Sequence, residues 1–235
     1  MRWLLAAVVG VSAVTQAAEV FGESERTMIV EAKLGPFMPL IDRGFTNRPG
    51  PYQSTFGSTG MLLGEVEVDY EFFQKFGTLS GGISGGYTEK FGKAIVEATG
   101  EQAAQSTGLR LVPLKALISY RFDYLSAQYS IPLVPYVKAA FVVMPWWVTN
   151  GGTVEVADGL TGTGVKFGIA GTVGLSLDLN FLDPRLARDF DTTMGVNHTY
   201  LFAEFTLQEM TLGAQSTTSL DFSSRHFTFG LALEF

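Results

Sequence analysis

Cysteine is absent from the 235 residues. Disulfides, thiolate metal sites and cysteine nucleophiles are therefore excluded. Charge is scarce as well: only 17 % of residues are Asp, Glu, Lys or Arg, against roughly 25 % in soluble domains. Disorder needs low hydrophobicity and high charge, so it is excluded too. Basic residues are outnumbered, 16 Lys and Arg against 23 Asp and Glu, leaving a net charge of −7. Nucleic-acid binding calls for a basic footprint, so no nucleic-acid partner is expected. Long hydrophobic runs are missing beyond residue 20, and the longest candidate, 139–148, is interrupted by Pro145. No transmembrane helix is expected there. Yet 46 % of the chain is hydrophobic and its mean hydropathy is +0.22. That apolar content needs another explanation.

Part of it is at the start. Residues 1–18 read MRWLLAAVVGVSAVTQAA: one positive charge at Arg2, an apolar run from Trp3 to Val14, then small residues before the acidic EVFGESE. This is the pattern of a cleaved secretory signal, too short to span a membrane. An N-terminal anchor or a buried first helix is the alternative. The exported domain would be 19–235.

The rest is alternation. In MLLGEVEVDYEFF (61–73), Gly64, Val66, Val68, Tyr70 and Phe72 share one face, while Glu65, Glu67, Asp69 and Glu71 share the other. A period of two marks a strand, whereas a helix would scatter the acids around its axis. The pattern recurs over 28–35, 79–87, 112–122, 137–143, 165–178, 201–208 and 227–235. Eight strands of about 9–13 residues result, near the 9–11 that cross a bilayer at a tilt. Long polar or Gly-rich connections (36–60, 89–108, 150–163, 210–222) alternate with shorter ones (74–77, 123–132). The third short-side connection, 179–198, is an exception, with a helical DPRLARDFD. The chain thus predicts an all-β fold, an eight-stranded antiparallel transmembrane β-barrel of outer-membrane type, with both termini on the short-turn, periplasmic side.

Tyr87, Trp146 and Trp147 mark the loop-side membrane interface, and Phe72, Phe122, Tyr136 and Phe235 the turn side. A soluble sandwich or lipocalin-like barrel, with its faces inverted, is the alternative that these aromatics leave open. Pro113, Pro135 and Pro145 fall inside predicted strands, which suits only bulges or strand ends.

The ending RHFTFGLALEF resembles the C-terminal assembly signal of bacterial outer-membrane barrels, carried here by Thr228, Gly230, Leu233 and Phe235. The resemblance implies insertion by the barrel-assembly machinery and contact with outer-membrane lipid. KLGPFMPLID, MLLGEVEVDYEFF, IPLVPYVKAA, FLDPRLAR and GVNHTYLFAEF together resemble a family of small outer-membrane barrel proteins of myxobacteria and their relatives. That likeness implies a fold and a location. It supplies no activity and no functional residue, although some small barrels of such bacteria belong to gliding-motility envelope complexes.

The inward charges are the most informative set. Glu31, Glu65, Glu67, Asp69 and Glu71 would form an acidic wall, facing Lys115, Arg121, Lys138 and Lys166 across the lumen, with Glu204 in the same lumen charge cluster. Eight strands enclose a space that side chains just fill, and unpaired charges there would cost several kcal/mol each. A salt-bridged, plugged lumen is expected; a narrow ion path is the alternative. Of the two histidines, His198 and His226, the second shares a face with Ser224, but no third group completes a triad. Asp42, Asp158, Asp183, Asp189 and Asp191 lack EF-hand spacing, and GGISGG lacks the GK[ST] of a phosphate loop. No catalytic residue, cofactor or metal is expected. The leading function is a non-enzymatic envelope protein whose partners bind the outward loops or the 179–198 segment. A small channel or a lipid-modifying enzyme stands as the alternative.

Overall fold

The structure is a computed structural model that describes residues 26–44, 50–95, 102–124, 131–157, 160–212 and 220–235. The predicted signal segment, 1–18, lies outside the described residues. Twelve strands are described: β1 (Met28–Phe37), β2 (Met61–Gln74), β3 (Thr78–Gly92), β4 (Thr107–Leu111), β5 (Leu114–Arg121), β6 (Leu133–Asn150), β7 (Thr153–Val154), β8 (Val156–Ala157), β9 (Leu160–Thr161), β10 (Thr163–Asp178), β11 (His198–Leu212) and β12 (Ser224–Glu234). Two short helices, α1 (Pro51–Phe56) and α2 (Pro184–Met194), sit in connections at opposite ends.

Pairing runs β1–β2–β3–β4/β5–β6–β10–β11–β12 and back to β1, antiparallel throughout. With β4 and β5 counted as one interrupted strand, this is a closed ring of eight, with β7 and the β8–β9 pair outside it. The ring closes through the chain end: Met28 N donates to Phe235 O at 3.0 Å, and Phe235 N donates to Met28 O at 2.8 Å.

The prolines fit because of where β5 stops. In an antiparallel strand a residue's nitrogen and carbonyl point to the same side. Pro145 O accepts from Val112 N, in the gap between β4 and β5, and Pro135 O accepts from Phe122 N, just past the end of β5. Each missing N–H therefore faces an interruption rather than a continuous ladder. Pro113 lies in the interruption itself.

The strands are longer than their hydrophobic pattern predicts. β6 has 18 residues, β10 has 16, and β3 and β11 have 15 each. Most of the excess lies on the loop side, where β4 joins the ends of β3 and β6 and raises one part of the wall. Pairing continues there, but the outward face turns polar (Glu89, Arg110), so the alternation of apolar residues fades while the ladder does not.

Below that rim the outer wall is mainly apolar. Leu34, Val66, Tyr70, Ile83, Ile118, Phe141, Ile169, Val173, Phe227 and Leu231 are all exposed. Glu89, Glu209 and Arg225, the outward charges of β3, β11 and β12, stand toward the loop end. The inside is the reverse, a stack of layers. Toward the loops, Phe37, Tyr52, Met61, Leu63, Leu109, Leu111, Met144, Met210 and Phe222 are each at most 3 % exposed and form one apolar plug. Toward the turns, Ile29, Val134, Tyr136, Tyr200, Phe202 and Ala232 form a second.

The described residues of the 38–60 connection pack against the loop-side layer. Asp42 caps α1, its carboxylate accepting from Tyr52 N at 2.8 Å and Gln53 N at 2.9 Å. Tyr52 inserts into the plug while its hydroxyl donates to Thr59 O at 3.1 Å. Burial, with the Asp42 carboxylate adding to it, pushes the Tyr52 phenol up to about 12. Lys90 Nζ ties the same connection to β3 by donating to Thr59 Oγ1 at 2.6 Å, and Leu40 N ties it to the start of β12 through Ser223 O at 2.9 Å.

Candidate functional site

Between the two apolar layers lies a band of charge, which period-two geometry assembles. Alternate residues of β1, β2, β5, β6 and β11 point inward, delivering Glu31 and Lys33; Glu65, Glu67 and Asp69; Lys115 and Arg121; Lys138; and Glu204. All are buried except Lys115, which is nearly so.

Lys138 Nζ lies 2.6 Å from Glu31 Oε2 and 2.9 Å from Glu204 Oε1, and it also donates to Glu67 Oε1. Lys33 Nζ lies 2.7 Å from Glu67 Oε2, 3.1 Å from Glu204 Oε2 and 3.5 Å from Glu65 Oε1. Lys115 Nζ takes both Glu65 oxygens, at 2.8 and 2.7 Å, while Ser84 Oγ donates to Oε1 at 2.9 Å. The Arg121 guanidinium approaches Glu31 Oε1 at 3.7 Å and stacks over the rings of Tyr200 (4.6 Å) and Tyr136 (5.3 Å). Thus Glu31, Glu65, Glu67 and Glu204 are matched by Lys33, Lys115, Lys138 and Arg121. Removing any one member would strand a buried charge, the expensive case for ions out of water.

Two carboxylates stand apart from that matched set. Asp69 Oδ1 has no hydrogen-bond partner among the described residues, and its oxygen packs over Gly82, where a Cβ would fall 1.9 Å from it. Glu71 belongs to a lower cluster at the turn end, accepting from Gln74 Nε2 at 2.8 Å. That cluster also holds Arg26, 3.2 Å from Asp123 and 3.5 Å from Glu234, and Tyr200, whose hydroxyl donates to Glu234 Oε2 at 2.8 Å.

Several sequence expectations need correction. Lys166 does not join the band: it pairs with Met144, whereas Lys138 pairs with Thr172, six residues along β10. At a strand's rise that separation is roughly 20 Å toward the loop rim. The cations that meet β2 come from β5, β6 and its own neighbour β1, so the basic wall is not the strand opposite. Lys33, outside the predicted set, bridges four of its carboxylates, Glu31, Glu65, Glu67 and Glu204. Its signal was the same alternation that placed Glu31 inside.

Trp146 turns inward, its ring 5.4 Å from Phe222, leaning over Gly164, where a Cβ would lie 2.8 Å from the indole nitrogen. Consecutive residues of a strand face opposite sides, so Trp146 and Trp147 cannot both anchor the membrane. Tyr136 is likewise internal, 3 % exposed, with its hydroxyl donating to Glu204 Oε1 at 3.1 Å across Gly174. Tyr87 is exposed on the outer wall, and its hydroxyl donates to Glu89 at 2.8 Å. Of the C-terminal motif, Thr228 and Gly230 face inward, Leu233 faces outward, and Phe235 closes the ring.

The chemistry available is limited. Oxygens of Glu31, Glu67 and Asp69 lie within 4.8 Å of one another, a spacing that suits a cation. The Lys138 ammonium already bonds two of the three, and its positive charge takes the place a metal ion would fill. Ser224 Oγ and His226 Nδ1 are 2.8 Å apart, but both side chains are buried inside the wall, His226 against Phe37.

No family model matches the chain, and no curated protein matches it. Among solved structures it is similar to Ail, the attachment invasion locus protein of Yersinia pestis in complex with the heparin analogue sucrose octasulfate, at 10 % identity and a TM-score of 0.45, covering 91 % of this chain and 100 % of that one. It is also similar to the N-terminal β-barrel domain of Pseudomonas aeruginosa OprF (12 % identity, TM-score 0.38, 89 % and 97 % covered). A third is the outer membrane enzyme PagL (12 %, TM-score 0.36, 88 % and 98 %). The likeness is one of architecture alone, and one of the three is an enzyme, so no activity follows from it.

Proposed function

We propose that this chain is an integral outer-membrane β-barrel protein without enzymatic activity, acting as a structural or interaction-mediating part of the cell envelope. Membership of a motility or other envelope complex, through the loop-side surface or the 179–198 segment, is the finer form of the same reading. One observation carries it: among the described residues, a mainly apolar outer wall encloses two buried apolar layers with an ion-paired band between them. The wall suits a bilayer of about 30 Å. An interior packed in this way leaves function to the ends, where loops held on a rigid scaffold meet partners. During assembly the partner would be the barrel-assembly machinery, reading Thr228, Gly230, Leu233 and Phe235; afterwards it would be lipid.

Passage through the lumen is the second reading, supported by the charged band alone. The apolar layer from Phe37 to Phe222 opposes it, because ions need a wet path and these side chains offer them no polar partner. Lipid modification would need a catalytic group on the outer wall, and the Ser224–His226 pair is inside.

Because the chain has no native cysteine, topology can be tested with Gln53→Cys at one end and Asp189→Cys at the other. A membrane-impermeant maleimide should label position 53 in intact cells and position 189 only after the outer membrane is permeabilised. Equal labelling of both in intact cells would contradict the placement.

A further inference from the structure

α2 inverts the usual arrangement of an amphipathic helix. It is bounded cleanly: Asp183 caps its start, accepting from Arg185 N at 3.0 Å and Leu186 N at 3.1 Å, and Gly195 ends it at φ 71°. Leu182 just before it, then Leu186, Phe190 and Met194, recur every four residues and form one stripe. They are 68, 53, 41 and 68 % exposed. A helix packed on its own protein normally turns such a stripe toward that protein. Here the least exposed positions are Ala187 and Asp191, and the side facing the barrel end at Asn180 and His198 is formed by Pro184, Ala187, Arg188 and Asp191. The apolar stripe is turned away from the barrel.

What covers it follows from where the helix is tethered. Three residues, Gly195–Asn197, join it to β11, and at most about 10 Å of chain is available in them. β10 and β11 are neighbours, and their outward faces carry Leu175 and Leu201, the turn-side edge of the apolar wall. Phe181 and Leu182, 51 and 68 % exposed, continue that edge into the helix. That tether keeps the helix beside the wall's edge, next to a headgroup zone of roughly 5–8 Å on each side of the hydrocarbon core. Helices of this kind lie in that plane with their apolar face sunk about 5–10 Å. Arg185, on the polar arc, can extend to phosphate groups.

We propose that α2 is an interfacial helix that lays Leu182, Leu186, Phe190 and Met194 on the phospholipid leaflet bordering the turn end of the barrel, a proposal that rests on the barrel spanning a membrane. It would hold the barrel at a fixed depth and tilt.

The test is spin-label accessibility of the full barrel folded in phosphatidylethanolamine–phosphatidylglycerol vesicles. Leu186→Cys and Phe190→Cys report the stripe, Thr192→Cys the polar face, and Ile169→Cys the barrel wall. Labels at 186 and 190 should collide with oxygen and be shielded several-fold from a water-soluble nickel complex, relative to 192. Equal access of the nickel complex to 186, 190 and 192, with 169 still shielded, would overturn the helix proposal and leave the barrel reading standing. Access at 169 as well would overturn both.

Discussion

Lys138 Nζ reaches Glu31 Oε2 at 2.6 Å across the lumen, from β6 to β1, two strands that share no ladder hydrogen bond. The contact spans the ring, so it reports barrel closure rather than local pairing. With Lys33 between Glu67 and Glu204, it makes the charged band a brace that holds only one register.

Removing that brace should be costly. Lys138→Met leaves Glu31, Glu67 and Glu204 short of a cation, and a loss of about 3–5 kcal/mol is expected. Lys166→Met, outside the band, should stay within about 0.5 kcal/mol. Urea titrations followed by heat-modifiable gel migration would compare the two, and equal losses would remove Lys138 from its place in the network.

Glycine inside the wall makes room for the band. Gly82→Ala would put a Cβ 1.9 Å from Asp69 Oδ1 and 2.3 Å from Val68 O, whereas Gly171, on the outer wall, has nothing within 4 Å. Overpacking of this kind costs about 1–3 kcal/mol. The yield of folded barrel should drop for Gly82→Ala and hold for Gly171→Ala.

The loop-side cap should loosen in alkali. Tyr52 is raised from 10.0 to about 12, so the folded cap holds a proton that the opened segment gives up. Its contribution is whole below about pH 10 and is lost as pH rises from there through 12. Phenolate absorbance near 295 nm, wild type minus Tyr52→Phe, should show one tyrosine titrating late, together with increased proteolysis of the 38–60 connection. Titration of that tyrosine near pH 10 would contradict the packing of α1 on the plug.

Catalysis at the Ser224–His226 pair is not expected. His226→Ala should leave the phospholipid and lipopolysaccharide pattern of the cell envelope unchanged. A lost lipid product in mass spectra would return the enzyme reading to first place.

Much of this was legible in the residues because the barrel wall is a period-two object. The acids of 61–73 predicted both the strand and its inward face, and the ring of eight follows from counting such segments. What escaped was vertical position. Alternation says which side Lys166 faces but not how far along the lumen it sits, since that depends on strand stagger. Lys33 carries the same parity signal as Glu31 and pairs with Glu65 of the neighbouring β2, but only the closed ring brings Glu204 of β11 to it. Trp146 was misplaced by residue type, tryptophan reading as an interface marker where parity already assigned it to the interior. The helix 184–194 showed in DPRLARDFD, but its inverted orientation depends on how the barrel end receives it.

The most direct measurement is single-channel conductance of the folded barrel in planar bilayers, with heat-modifiable migration certifying the fold. The packed interior predicts silence, unchanged in Glu67→Gln. Steady conductance that shifts with Glu67→Gln or Lys138→Met would show that the charges line an open path, and the reading of a plugged, non-conducting envelope protein would be wrong.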